Sequence, residues 1–275
     1  MENMAAACLE MIKENVVKDY FTANIKSEVI FDMLLTPMIP EMIEAAIGEK
    51  TEVIAKEFPM LNKNFEEAQN TKDYRNCNAD YLLRSLDKRG WYLVELKTTA
   101  SSEGKDQREK YKKILTNKVS LYKDFVELLA HVYNVSYDVQ KDSLQTVFKK
   151  IVKIEGDIEE NVYTDLAVQR LQKLTRTGSK KYLYIAAQLL EKGVGLKQEE
   201  PEFEPLKIIY ITPEGGKKVR DEEGIKYISL KDILYEKKCG EDKRTVSEAV
   251  GENTSKKEYW EWLKEVFGAC YDDGL

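Results

Sequence analysis

Apolar and polar residues along this chain follow two rhythms. Leu121, Phe125, Leu128, Leu129 and Val132 recur at helical spacing, as do Leu144, Val147, Phe148, Ile151 and Val152, and each set predicts an amphipathic helix. The N-terminal region has the same character. Ser27 reads as an N-cap before the run Glu28 to Leu35, which breaks at Pro37. A further helical run starts near Pro40, where the stripe Met42, Ile43, Ala46 and Ile47 continues through Val53, Ile54 and Phe58 and stops at Pro59, with Gly48 a point of interruption. Residues 61 to 78 are polar and Asn-rich and read as loop with at most one short strand.

The second rhythm is that of strands. Tyr81-Leu82-Leu83, the turn cluster Asp87-Lys88-Arg89-Gly90 and the run from Trp91 to Thr98 read as a β-hairpin whose first strand opens at Asp80. A loop over residues 100 to 106 leads into a helix from about Gln107. Lys180 to Leu190 fits strand or helix equally well. Leu206 to Thr212 is a strand closed by Pro213-Glu214-Gly215-Gly216, Ile225 to Leu230 is another, and Trp260 to Phe267 is a short amphipathic helix within residues 256 to 268. The order predicts a single α/β domain with its core in residues 27–115 and 205–235 and a helical insertion over residues 116–200. There is no internal repeat and no flexible linker.

Composition narrows the chemistry. No apolar run approaches the ~20 residues needed to span a bilayer, and Met1 to Leu9 lacks a basic leader, so the expectation is a cytoplasmic protein without membrane attachment. Cys8, Cys77, Cys239 and Cys270 are scattered without metal-ligand spacing and read as reduced thiols. His131 is the only histidine, which excludes multi-histidine zinc centres and leaves a Ser-His-Asp hydrolase nothing but a histidine inside an apolar helical run. Hydrolytic chemistry would have to run on carboxylates, lysine and a hard metal ion. The net charge of −6 provides no global attraction to nucleic acid, although local basic strips can coexist with an acidic total.

The hairpin carries the informative residues. Side chains alternate faces along a strand, so Glu95 and Lys97 share a face with Trp91 and Leu93, while Tyr92, Val94 and Leu96 face the other way. Charge in a strand this apolar requires a partner or a metal. The hairpin folds Asp80 back against residues 95 to 98. The carboxylates of Asp80 and Glu95, the Leu96 carbonyl and waters would make a hard oxygen site for Mg²⁺ or Mn²⁺, with Lys97 placed to orient or deprotonate a water, or to neutralise developing charge.

Asn78-Ala79-Asp80, fourteen intervening residues, and then Glu95-Leu96-Lys97 resemble the signature of the PD-(D/E)XK nuclease superfamily, with Ala79 in place of the proline. The resemblance implies a restriction-endonuclease-like αβββαβ core with a mixed central sheet, here carrying a large helical insertion. It implies Mg²⁺-dependent phosphodiester hydrolysis of nucleic acid, DNA ahead of RNA, with Asp80 and Glu95 as metal ligands and Lys97 as the catalytic lysine. The superfamily places an acid on its first helix, for which Glu28 is the first choice and Glu49 and Glu52 are rivals. Gln107 and Tyr111, sharing a helix face after the catalytic strand, match a Gln and Tyr found near the scissile phosphate in many members, and Ser101 and Ser102 could contact the backbone of the nucleic acid. Alternatives are an inactive member of the fold serving as a nucleic-acid or protein binding module, or an unrelated α/β protein that binds a partner through its helical region. The clusters Arg108, Lys110, Lys112, Lys113 and Arg176, Lys180, Lys181 read as solvated helix faces unless a site lies beside them. The sixteen tyrosines read mostly as core or boundary residues, though some could stack on unpaired bases.

Overall fold

Helix α1 (Ser27–Leu35) ends where Pro37 interrupts the helical hydrogen bonds, and a 3-10 turn over Thr36–Met38 leads into helix α2 (Ile39–Ile47). Gly48 stops α2: its φ is 74°, and its N–H donates to the Glu44 carbonyl at 2.8 Å in a left-handed cap. The expected helical continuation through Val53, Ile54 and Phe58 is therefore corrected, because Thr51–Leu61 is strand β1. Two irregularities explain the false signal. The register of β1 shifts between Val53 and Ala55, and Glu57 has a φ of 53°. These interruptions of the two-residue alternation put Ile54, Ala55 and Phe58 into one core cluster, at a spacing that imitates a helix.

The computed structural model describes residues 27–61, 76–86, 90–97, 105–117, 120–138, 140–156, 158–159, 162–174, 177–196, 206–213, 224–237 and 244–272. Strand β2 (Asn76–Ser85) runs antiparallel to β1 and to β3 (Trp91–Leu96), so the first hairpin strand begins before Asp80. Strands β4 (Leu206–Thr212) and β5 (Ile225–Ser229) add in parallel, giving a mixed five-stranded sheet in the order β1-β2-β3-β4-β5. The expected turn residues Asp87 to Arg89 and the pair Gly215-Gly216 lie outside the described residues.

Five helices pack on one face: α3 (Lys105–Asn117), α4 (Leu121–Val132), α5 (Leu144–Val152), α6 (Tyr163–Lys173) and α7 (Thr177–Glu191). Serine caps open two of them, Ser120 accepting from the Lys123 N–H and Ser143 from the Thr146 N–H. The ambiguous segment 180–190 is helical, within α7. Gly195 makes a close approach in this layer, since a Cβ there would sit 2.7 Å from Leu144 Cβ and 2.8 Å from the Tyr122 hydroxyl. The opposite face is covered by α1 and α2 together with α8 (Leu230–Leu234), α9 (Val246–Val250) and α10 (Thr254–Asp272). Helix α10 has 19 residues and is longer than the short helix expected.

The two cores follow the alternation of β3. Trp91 and Leu93 enter the α3–α7 core, whereas Tyr92, Val94 and Leu96 enter the α1–α2 core. Among the described residues, no helix is long and apolar enough to cross a membrane.

Candidate active site

Every residue of β3 is buried, and Glu95, 1% exposed, projects towards the α3 side with Trp91 and Leu93. A carboxylate there must be compensated. Its Oε2 accepts from Lys97 Nζ at 3.1 Å, and its Oε1 accepts from the Tyr111 hydroxyl. Lys97 lies just past the strand. Its backbone N–H donates to the Ile211 carbonyl at 2.8 Å, which prolongs the parallel pairing, and its Nζ also donates to Gln107 Oε1 at 2.9 Å. Gln107 and Tyr111 stand one turn apart on α3, so a single helix face supplies both contacts. Tyr111 is fixed in turn by an edge-on contact with Tyr210 of β4, with ring centroids 5.9 Å apart.

Asp80 arrives from β2. The pairing of Tyr81 with Val94, continued by one residue, sets Asp80 across from Glu95. Asp80 Oδ2 accepts from the Leu96 N–H at 2.6 Å. In extended backbone a residue's N–H and C=O leave on the same edge, so the Leu96 carbonyl also faces the Asp80 side of β3. Asp80, Glu95, Lys97, Gln107 and Tyr111 thus gather at the C-terminal end of β3.

Electrostatics follow from this crowding. Burial pushes the Asp80 carboxyl up to about 7, the Glu95 charge adds to the rise, and the Leu96 N–H and Lys97 oppose it. Burial also raises Glu95, against the lowering effects of Lys97, Tyr111 and Gln107. The Tyr111 hydroxyl is held well above its ordinary value by burial and by Glu95 beside it, so it remains a donor. Two carboxyls that burial and proximity disfavour as anions form a place where a cation gains free energy.

Other expected residues are placed elsewhere. Glu28 lies on α1, but its side chain is outside the described residues, as are Ser101, Ser102 and Arg176. The two rivals are corrected. Glu49 is not helical and is buried against the Tyr92 hydroxyl, with Lys207 Nζ at 3.6 Å. Glu52 belongs to β1 and pairs with Arg84 at 2.5 Å and Lys192 at 3.2 Å. Both sit beside the opening residues of β3, at the end of the strand away from Glu95. His131 is exposed at the end of α4.

The acid of α1 that the structure places against the sheet is Asp32, one turn beyond Glu28. It accepts from Lys56 Nζ at 2.7 Å and from the Tyr81 hydroxyl, and Thr36 completes the cluster through Lys56 at 2.9 Å. Tyr81 and α1 belong to the opposite core from Glu95, so this cluster backs the site without entering it. The helical spacing of Asp32 from Glu28 was a readable signal; its pairing with Lys56 was not. Sequence reading missed Glu57, whose charge contributes to the rise at Asp80. Lys181, expected on a solvated helix face, is half-buried, and its Nζ donates to Asn78 Oδ1 at 3.3 Å.

The donor set present is hard oxygen: two carboxylates and a main-chain carbonyl, which in kind suits Mg²⁺ or Mn²⁺ with waters completing the shell. Among the described residues, no group of three or more His, Cys, Asp or Glu side chains is arranged to hold a metal ion. No protein-family model, curated protein or solved structure matches the chain.

Proposed function

We propose that this protein is a divalent-metal-dependent phosphodiesterase acting on nucleic acid, DNA ahead of RNA, through a site of the PD-(D/E)XK type in a restriction-endonuclease-like fold. The observation that carries the reading is the convergence of Asp80, Glu95 and Lys97 at the end of one buried strand, with both carboxyls raised above their ordinary values. The order of elements around that strand is compatible with it: an N-terminal helix, three antiparallel strands, a helix carrying Gln107 and Tyr111, and a parallel strand.

Asp80, Glu95 and the Leu96 carbonyl would hold Mg²⁺ or Mn²⁺, which when bound lowers the pKa of water and stabilises charge on the phosphoryl oxygens. The chain's own residues do the rest. Lys97, held between Glu95 and Gln107, presents its ammonium where it can orient an attacking water and neutralise charge as the P–O ester bond breaks. Tyr111 keeps the Glu95 carboxylate in a fixed orientation. The site excludes bulk water from this group, with Glu95 1% exposed, which strengthens each charge interaction within it.

The test is cleavage of single- and double-stranded DNA and of RNA with Mg²⁺ or Mn²⁺, by the wild-type protein and by Asp80→Ala and Lys97→Ala. Loss of divalent-dependent cleavage in both variants is expected; retention in either refutes the assignment. A second reading, a non-catalytic nucleic-acid or protein binding module of the same fold, is favoured because no group of three or more His, Cys, Asp or Glu side chains among the described residues is arranged to hold a metal ion. Calorimetry with Mn²⁺ separates the two, since the binding module takes up no metal.

A further inference from the structure

We infer that the outer face of α7 is a track that delivers a single strand of nucleic acid to the Asp80–Glu95 site, an inference that rests on the nuclease reading above. Helix α7 is tied to β2 at both ends. At the site end Lys181 Nζ donates to Asn78 Oδ1 at 3.3 Å, and beyond the far end Arg84 donates to the Lys192 carbonyl at 3.2 Å. The helix packs over β1, the neighbour of the strand that carries Asp80, and its N-terminal half meets that strand at Asn78. Asn78 is two residues before Asp80, and its amide is held from the other side by Glu57 at 2.9 Å, which fixes the point where Lys181 is anchored.

The inner face of α7 is core, with Leu183, Ala186, Ala187 and Leu190 fully buried. The outward positions at helical spacing are Lys180 and Lys181, both half-buried, and then Tyr184, 39% exposed. Tyr184 stands one turn from Lys180 and about 4.5 Å along the helix axis from Lys181. An exposed aromatic ring at helical spacing from two lysines, of which Lys181 also holds Asn78 and lies over the Tyr182 ring, matches the chemistry of unpaired nucleic acid: bases stack on the ring while phosphates meet the lysines. A duplex has its base faces occupied and offers the ring nothing to stack on. Tyr184 has no place in the core that its helix already fills from the opposite side, and the charge of the stripe complements a polyanion although the chain as a whole is acidic.

The experiment measures fluorescence anisotropy of a short labelled strand, and of its duplex, on wild-type, Tyr184→Ala, Tyr184→Phe and Lys180→Gln protein. Ca²⁺ is present in place of Mg²⁺ during binding. Cleavage with Mn²⁺ is measured in parallel on the same strand and on bis(p-nitrophenyl) phosphate, which is too small to reach α7. The single strand is expected to bind the wild type more tightly than the duplex. Tyr184→Ala should weaken single-strand binding by about tenfold or more, Tyr184→Phe should retain it, and Lys180→Gln should lower the salt slope by about 0.7. Hydrolysis of the small ester should be unchanged in all three variants. Wild-type affinity for the strand in Tyr184→Ala, or a wild-type preference for duplex, overturns the track while leaving the nuclease reading intact. Absence of both binding and cleavage of any nucleic acid by the wild type overturns the nuclease reading and the track with it.

Discussion

Replacing Asp80 by Asn should stabilise the protein in the absence of divalent metal while abolishing the proposed cleavage. Asp80 is partly buried, faces Glu95, and has its carboxyl raised from 3.8 to about 7. Keeping such a group ionised at pH 8 costs the folded state up to about 4 kcal/mol. The burden is shared with Glu95, so the relief available from one substitution is about 2–4 kcal/mol. Asparagine preserves an oxygen to accept the Leu96 N–H, so the backbone contact need not be lost. The sign is set by linkage. A carboxyl raised on folding contributes stability below the unfolded pKa, and that stability disappears as pH rises from about 4 through about 7. The advantage of Asp80→Asn should therefore be largest at pH 8 and fade towards pH 4. Urea denaturation in the presence of a chelator, at pH 8 and at pH 4.5, measures it. Adding Mn²⁺ at about 100 times its Kd should raise wild-type stability at pH 8 by about 2.7 kcal/mol and leave the variant unmoved. If the variant is no more stable than wild type at pH 8, or is stabilised equally at both pH values, the crowding of Asp80 against Glu95 is not as argued.

Tyr111→Phe removes a buried donor from the Glu95 carboxylate, for a cost of about 1.5–3 kcal/mol in stability at pH 8, and it should move the acid limb of the cleavage–pH profile upward, because Glu95 then protonates more readily; an unmoved limb refutes that role. Lys97→Met should lower kcat by about two to four orders of magnitude with little change in strand affinity, and Lys97→Arg should fail to restore it, because a planar fork does not reproduce a point charge 3.1 Å from Glu95 and 2.9 Å from Gln107. Gly195→Ala puts a methyl 2.7 Å from Leu144 Cβ at a position whose φ is 80°, and it should cost about 1–3 kcal/mol by thermal or chemical denaturation; an unchanged melting temperature contradicts the close approach.

Much of this protein is legible in its residues alone. Helices α4 and α5 declare themselves because one face packs on a core and the other meets water, leaving a 3.6-residue imprint on the sequence. The same logic makes β3 readable: period two assigns Glu95 to the side of Trp91 and Leu93, and the cores divide in that way. Strand β1 is the counterexample, since its register shift and the left-handed Glu57 replace alternation with a helix-like spacing that no window of sequence can separate from a helix. Proximity across the chain left no local trace either. Lys181 meets Asn78 across 103 residues, Asp32 finds Lys56 across 24, and Glu49 and Glu52 are drawn to the far end of the sheet by Tyr92 and Arg84. Local sequence records how a segment partitions between core and water, because that depends on its own side chains. Which charges meet is decided by strand register and helix docking, and those exist only once the whole sheet has formed.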